Sequence, residues 1–140
     1  MSLQVILLPL FVQAMLTLGL GMFLAYRRGL DFSSGAVRPS QIALREPNWP
    51  RPTMQVSNSY SNQFELPVLF YVVTVLALIT SKTDLIFLVL SWIFVIARLV
   101  QAFIHITHNN VKQRGAAFGV GAVALLVMWI IFIARILAAA

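Results

Sequence analysis

Long apolar runs are the feature that most constrains this chain. Three of them, Leu3 to Tyr26, Asp84 to Thr107 and Gly115 to Leu137, are long enough to cross a bilayer, because about 20 helical residues span roughly 30 Å of hydrocarbon. With 60% apolar and 10% charged residues, the chain has too little polar surface for a water-soluble globule, which usually carries about 25% charged residues. The sequence therefore excludes a soluble enzyme and predicts an integral membrane protein.

A further apolar run, Leu66 to Ile79, is too short to cross a bilayer unaided. To span, this helix must extend backward through polar residues, and we expect Pro67 to bend it and free a carbonyl that a neighbour must satisfy. The fold class predicted is an all-α integral membrane bundle of four transmembrane helices in one domain, 1–140. The predicted helices are 3–26, 59–81, 84–107 and 115–137, with a long loop at 27–57.

The basic residues indicate the topology. The long loop contains four prolines, which exclude a continuous helix across its second half, and in a four-helix chain it lies on the same side as the short polar loop 108–114. By the positive-inside rule both loops are cytoplasmic and both termini lie outside, and we expect a bacterial inner membrane. The two loops hold Arg27, Arg28, Arg38, Arg45, Arg51, Lys112 and Arg114, against Lys82 and Arg135 on the other side.

Charge and cysteine content narrow the chemistry. The net charge of +6 comes from segments beside apolar runs and not from one basic stripe with interleaved aromatics, so we expect no nucleic-acid partner. The chain contains no cysteine, which excludes a disulfide, a thiolate nucleophile and a Cys-ligated metal. Any thiol must therefore arrive with a ligand.

Two polar stripes run along the predicted second and third helices. Their members recur at intervals of three or four residues, so each stripe occupies one helix face. Because ionisable groups are costly in hydrocarbon, we expect the stripes to meet and Glu65 to pair with Arg98, either to hold two helices in register or as part of a binding site. The first stripe is Asn58, Asn62 and Glu65, and the second is Arg98, Gln101, His105 and His108.

Two of these residues, His105 and His108, are spaced i, i+3 and could bind a metal ion with Glu65 as a third ligand. A polar patch at the membrane interface is the more common role of such a pair. We therefore predict no metal site.

Three short motifs in register with this layout resemble those of a known membrane-protein family. They are Asn-Gln-Phe-Glu-Leu-Pro at 62–67 with Phe70, Ala-Arg-Leu at 97–99, and Arg-Gly-Ala-Ala-Phe at 114–118. The family is MAPEG, the membrane-associated proteins in eicosanoid and glutathione metabolism. The resemblance implies a homotrimer with a glutathione site between neighbouring subunits near the cytoplasmic face.

The resemblance also implies roles for particular residues. In the family, the residues that match Asn62, Glu65 and Arg98 line the glutathione site. Arg114 matches the candidate for stabilising the glutathione thiolate. A fixed cation at a helix start independently favours a thiolate, so we predict Arg114 to be catalytic. The alternative role for Arg114 is to anchor the cytoplasmic side of the chain under the positive-inside rule. The predicted glutathione-binding residues are Asn58, Asn62, Glu65, Arg98, Gln101 and His105.

The chain departs from the family's pattern at two places. Residues 55–58 lack the arginines that conjugating members often carry there, and His105 stands where an aromatic hydroxyl is usual. Arg45 or Arg51 from the long loop could replace the missing cations.

Three functions follow from these patterns. The first is a glutathione transferase or peroxidase that conjugates or reduces lipophilic electrophiles entering from the bilayer. The second, favoured by the missing arginines, is a non-catalytic lipid-binding module, and the third is an accessory subunit of a larger membrane complex. A small transporter fits less well, because Glu65 lies toward the membrane edge and not at the midplane.

Overall fold

The computed structural model describes residues 2–44 and 47–139, and this part of the chain is helical without strands. The second span is interrupted, so five α-helices form four spans that are long and apolar enough to cross a membrane. The predicted fold class is confirmed. The elements are α1 (Leu3–Ser33), a 3₁₀ turn (Pro39–Gln41), α2 (Arg51–Asn62), α3 (Leu66–Ile79), α4 (Leu85–Ile106) and α5 (Val111–Ala138).

The first helix is longer than its apolar run, so the predicted end near residue 26 is wrong. Helical hydrogen bonding does not stop where the hydrocarbon stops, and α1 continues until Ser34 caps it and Gly35 adopts a φ of 77°. The extension is held by the buried carboxylate of Asp31, which accepts a hydrogen bond from Thr53 Oγ1 in α2.

The predicted loop 27–57 is also wrong at its second end, since α2 begins at Arg51. Proline is tolerated in the first helical turn, where its missing N–H would lack a partner in any case. Pro50 precedes the helix and Pro52 lies in its first turn, so these prolines mark the start of a helix. Similarly, α5 begins at Val111 and not at 115, because Asn110 accepts a hydrogen bond from Gln113 N at 3.1 Å.

The second span breaks completely at residues 63–65, between α2 and α3. Pro67, in the first turn of α3, has no N–H to donate, and Glu65 precedes that helix with φ −99° and ψ −107°. The Asn62 carbonyl at the break accepts a hydrogen bond from Arg98 Nη2 in α4 at 3.0 Å. The predicted bend is therefore a complete break, and the carbonyl that finds a neighbouring donor is that of Asn62, which also accepts from Glu65 N at 3.3 Å.

The apolar core lies between α3, α4 and α5. The rings of Phe70 and Phe94 stack with centroids 4.7 Å apart. Gly121 brings α5 close to α4, because a Cβ there would lie 3.5 Å from the Ala97 Cβ. Large apolar side chains cover the outer faces of the helices and are exposed, as lipid-facing surfaces require.

The bundle has two distinct ends. At one end, which we call the loop end, the first half of α2 lies beside the connection 107–110, since Gln55 Nε2 in α2 donates to the Thr107 carbonyl at 3.4 Å. At the other, the turn end, Arg135 of α5 contacts the turn between α3 and α4 by donating to the Lys82 carbonyl at 3.4 Å. The basic segments of the sequence therefore lie mostly at the loop end.

Candidate functional site

An open cavity of about 570 Å³ lies at the loop end, between α2, α4 and α5. Its volume is within the range usual for small-molecule sites, roughly 300–1,000 Å³. Six of the seven predicted site residues line this site cavity, and Arg98 is not among them. The lining residues are Asn58, Ser61, Asn62, Glu65, Gln101, His105, Val111, Arg114, Gly115 and Phe118.

The α2 side of the cavity is polar. Ser61 and Asn62 follow Asn58 by three and four residues, about one helical turn, so the three side chains share one face of α2. Glu65 follows at the break, and its side chain is exposed at the rim. This side offers a carboxylate, two amides and a hydroxyl to a ligand.

The α4 side is formed by the buried side chains of Gln101 and His105, one turn apart. The His105 ring is 5% exposed, and its Nδ1 has no hydrogen-bond partner. The exposed ring of His108 instead contacts Thr107 Oγ1 at 3.2 Å and Gln113 Oε1 at 2.7 Å. The two histidines therefore do not act as a pair in the cavity.

Arg98 lies behind this wall and is only 1% exposed. Its Nη1 donates to Gln101 Oε1 at 2.9 Å, while Nη2 holds the Asn62 carbonyl. The expected ion pair with Glu65 is wrong: among residues 2–44 and 47–139, the salt bridge present joins Asp84 to Arg135. The break between α2 and α3 explains this, since it leaves the carboxylate at the exposed rim and a backbone carbonyl beside the guanidinium.

Arg114 is the one cation that lines the site cavity in the described part of the chain. It lies in the first turn of α5 and is half-buried. Its Nη1 donates to the Asn109 Oδ1 at 2.6 Å, and Asn109 holds this position with a φ of 51°. Because the amide is neutral, the positive charge of Arg114 remains available to a ligand.

Of the two loop arginines expected to supply further cations, Arg51 does not enter this site. Arg51 begins α2 and is exposed, and it is not among the lining residues. Arg45 lies outside the described residues.

A second concave surface lies on the other side of α2, against α1. It consists of two cavities of about 670 Å³ and 530 Å³ that share Leu24, Arg28 and Tyr60, and we call them together the α1–α2 groove. The Arg28 guanidinium lies over the Trp49 ring, 4.9 Å from its centroid. Toward the middle of α1 the groove is bordered by apolar side chains such as Met22.

Two further features of the groove bear on its use. Asn58 and Ser61 line both the groove and the site cavity, so the two spaces adjoin across α2. A Cβ on Gly21 would lie 3.0 Å from Tyr60 Cε1, so glycine allows the Tyr60 ring to pack closely on α1.

Sequence reasoning missed several of these residues. Ser61 could have been found, because it is three residues from Asn58 on the same stripe. Val111 and Phe118 could not, since their place depends on how α5 docks. The buried amide contact from Gln13 Nε2 to Gln63 Oε1, at 2.9 Å, was signalled only by a glutamine within an apolar run.

The fold and the cavity define a class of protein, an α-helical integral membrane bundle with a polar site at one end. A family model described as the MAPEG family matches residues 6–134, and the chain belongs to this family. Comparisons with curated proteins and with solved structures found no match. Family membership confirms the resemblance seen in the motifs and supports a membrane function related to glutathione in general.

Proposed function

We propose that this protein binds glutathione in the site cavity and conjugates it to, or uses it to reduce, lipophilic electrophiles from the bilayer. The observation that carries the proposal is the convergence of α2, α4 and α5 on one cavity that combines Arg114, Glu65, amides and an imidazole. The proposal includes a homotrimer in a bacterial inner membrane, with the loop end cytoplasmic and both termini outside.

The lining groups match the chemistry of glutathione. The tripeptide carries an ammonium group, two carboxylates and a thiol, and the Glu65 carboxylate is complementary to the ammonium. The amides of Asn58 and Asn62 can donate hydrogen bonds to carboxylates. Gln101 can do the same, because Arg98 occupies its Oε1 and leaves its Nε2 to donate into the cavity.

Arg98 is therefore a positioning residue in this proposal. Its guanidinium fixes the Gln101 amide and the backbone at Asn62, both of which border the cavity. It orients the peptide site from behind and does not touch the peptide itself.

Arg114 supplies the stabilisation that the reaction needs. An ordinary thiol has a pKa of about 8.5 and is mostly protonated at neutral pH, whereas the thiolate is the nucleophile. A guanidinium with a neutral partner, in the first turn of a helix, favours the anion through its own charge and through the helix dipole. Holding the peptide beside this cation and near the second substrate then supplies most of the catalysis.

The α1–α2 groove is the proposed route for the second substrate. Met22 and Leu18, which border it, are exposed apolar residues in the middle of α1, where a molecule dissolved in lipid can enter. The groove adjoins the site cavity at Asn58 and Ser61. A lipophilic electrophile can therefore approach the peptide without crossing water.

Glutathione binding tests the proposal directly. Adding glutathione to the purified protein should raise its melting temperature, because the ligand binds only the native state, and stopped-flow absorbance should detect the thiolate. S-methylglutathione is the matched control, since it should raise the melting temperature without a thiolate signal. The absence of both effects in intact protein would contradict the proposal.

The groove itself is tested by a pair of glycine variants. Gly21→Leu should block it at Tyr60, whereas a Cβ on Gly19 meets nothing within 4 Å, so Gly19→Leu is the control. We expect Gly21→Leu to raise the KM for a lipophilic electrophile and to leave thiolate formation unchanged. Equal effects of the two substitutions would argue against this route.

A non-catalytic lipid-binding module is the second candidate, favoured by the same groove and its Arg28 cation. An increase in melting temperature with lipid, without an increase with glutathione, would select it. Native mass spectrometry in detergent tests the homotrimer, and co-purification of another subunit at fixed stoichiometry would indicate the accessory role.

A further inference from the structure

We infer that His105 is the base that takes the proton from the bound thiol and later returns it to the substrate. This inference rests on the proposed function. It assigns a catalytic role to a residue beyond peptide binding, and it favours α,β-unsaturated carbonyl compounds as the electrophiles.

The His105 ring borders the site cavity, and its Nδ1 has no hydrogen-bond partner within the described protein. The side chain is 5% exposed and lines the site cavity together with Arg114, and its Nδ1 is buried without a hydrogen-bond partner. A neutral imidazole has one donor and one acceptor nitrogen. Such a ring, lacking the structural hydrogen bonds usual for a buried polar group, is suited to exchange a proton with a ligand.

The other groups around the cavity are less suited to this role. Asn58, Asn62, Gln101 and Ser61 are not bases at neutral pH, and the Glu65 carboxylate is exposed at the rim. Among the side chains that line the cavity, an imidazole is the type that enzymes use most often as a general base.

The charged side chains that face His105 come from α4, from α5 and from the break between α2 and α3. Arg98 on α4 and Arg114 on α5 are close enough to act on the ring electrostatically, and Glu65 lies at the break between α2 and α3 across the same cavity. His108, in the turn after α4, makes hydrogen-bonding contacts through both ring nitrogens outside the cavity. It is therefore a matched control, a histidine at the same end of the bundle.

The reaction balances without any further reactant. The S–H bond breaks, sulfur keeps the electron pair, and an N–H bond forms on the His105 ring. The thiolate beside Arg114 then attacks the β-carbon of the unsaturated carbonyl, and the π electrons move to give an enolate. The enolate takes the proton back from the imidazolium, which yields the neutral thioether and restores the free base.

The test compares His105→Gln with His108→Gln by the rate of thiolate formation across a range of pH. We expect His105→Gln to slow thiolate formation at neutral pH about 100-fold, within the usual effect of losing a general base. The rate should approach that of the native protein as rising pH supplies thiolate from solution, while His108→Gln follows the native profile throughout. Melting temperature and glutathione affinity, measured in parallel, report on folding and binding.

A second variant keeps the inference falsifiable if His105→Gln folds poorly. His105→Ala leaves space for a free imidazole, and adding imidazole should restore thiolate formation, which a purely structural role would not allow. Equal rates for native protein and His105→Gln at every pH, or no rescue in a variant that still binds glutathione, would overturn the role of His105 alone. Failure of the native protein to form thiolate would overturn the proposed function as well.

Discussion

Two arginines on α5, Arg114 and Arg135, illustrate the difference between the ends of the bundle. At the turn end, Arg135 forms an ion pair with Asp84 and also donates to the Lys82 carbonyl. At the loop end, Arg114 donates to the neutral amide of Asn109 and lines a cavity. One helix thus carries an arginine in an ion pair near one end and, near the other, an arginine whose hydrogen-bond partner in the described residues is a neutral amide.

The difference separates a structural role at the turn end from the ligand-binding role that we propose for the loop end. Asp84 caps α4 by accepting from Phe87 N at 2.9 Å, and its hydrogen bond from Arg135 is the main reason that the pKa of Asp84 lies below 3.8. The turn end is therefore closed by groups that satisfy one another. The loop end presents donors and a positive charge that a ligand can satisfy.

The largest expected effect distinguishes the two arginines. Arg114→Gln should slow thiolate formation about 100-fold, as does loss of a donor that stabilises a developing anion, whereas Arg135→Gln should leave it within about two-fold. Stopped-flow absorbance of the bound thiolate measures both. Similar losses in the two variants would remove the functional distinction between the ends.

Removing Arg98 should chiefly affect stability. Arg98→Ala leaves the buried Gln101 Oε1 without this donor and the Asn62 carbonyl with Glu65 N alone, and a buried polar group that loses its partner costs about 1–3 kcal/mol. We expect thermal unfolding in detergent to show a loss of about 2 kcal/mol. The control, Lys82→Ala, removes a cation at the turn end but keeps the carbonyl that Arg135 uses, and an equal loss there would contradict this interpretation.

Asn109→Asp converts the loop end into a copy of the turn end. It places a carboxylate where Arg114 Nη1 now contacts an amide oxygen at 2.6 Å, and aspartate, like asparagine, tolerates the left-handed backbone of this position. Pairing should lower thiolate formation about 10-fold, equivalent to about 1.4 kcal/mol. An unchanged rate, with the melting temperature retained, would show that the free charge of Arg114 is not used.

The smallest effect concerns the pair at the turn end. Asp84→Asn keeps a side-chain oxygen for the helix cap but removes the ion pair, and such partly exposed pairs contribute about 0.5 kcal/mol. Because the pKa of Asp84 is lowered in the folded state, the contribution is present above pH 3.8 and is lost as the pH falls through the lowered value. Unfolding curves of native and variant protein should therefore converge in acid, and a difference that persists there would exclude this cause.

The sequence by itself determined the class of protein and most members of the site. Span length and apolar content are local properties, so they predicted four crossings and an integral membrane protein. The spacing of Asn58, Asn62 and Glu65, and of Gln101 and His105, depends only on helical periodicity, and these residues do line one cavity. Their function in that cavity stays a prediction.

Only the tertiary structure decided which groups are partners. The break at 63–65 placed the Asn62 carbonyl, and not the Glu65 carboxylate, beside Arg98, and the packing of α5 against the start of α4 brought Arg135 to Asp84. Periodicity assigns a side chain to a face of its own helix but does not set the distance to another helix. That distance depends on how whole helices pack, and it determines whether an arginine is neutralised or remains free for a ligand.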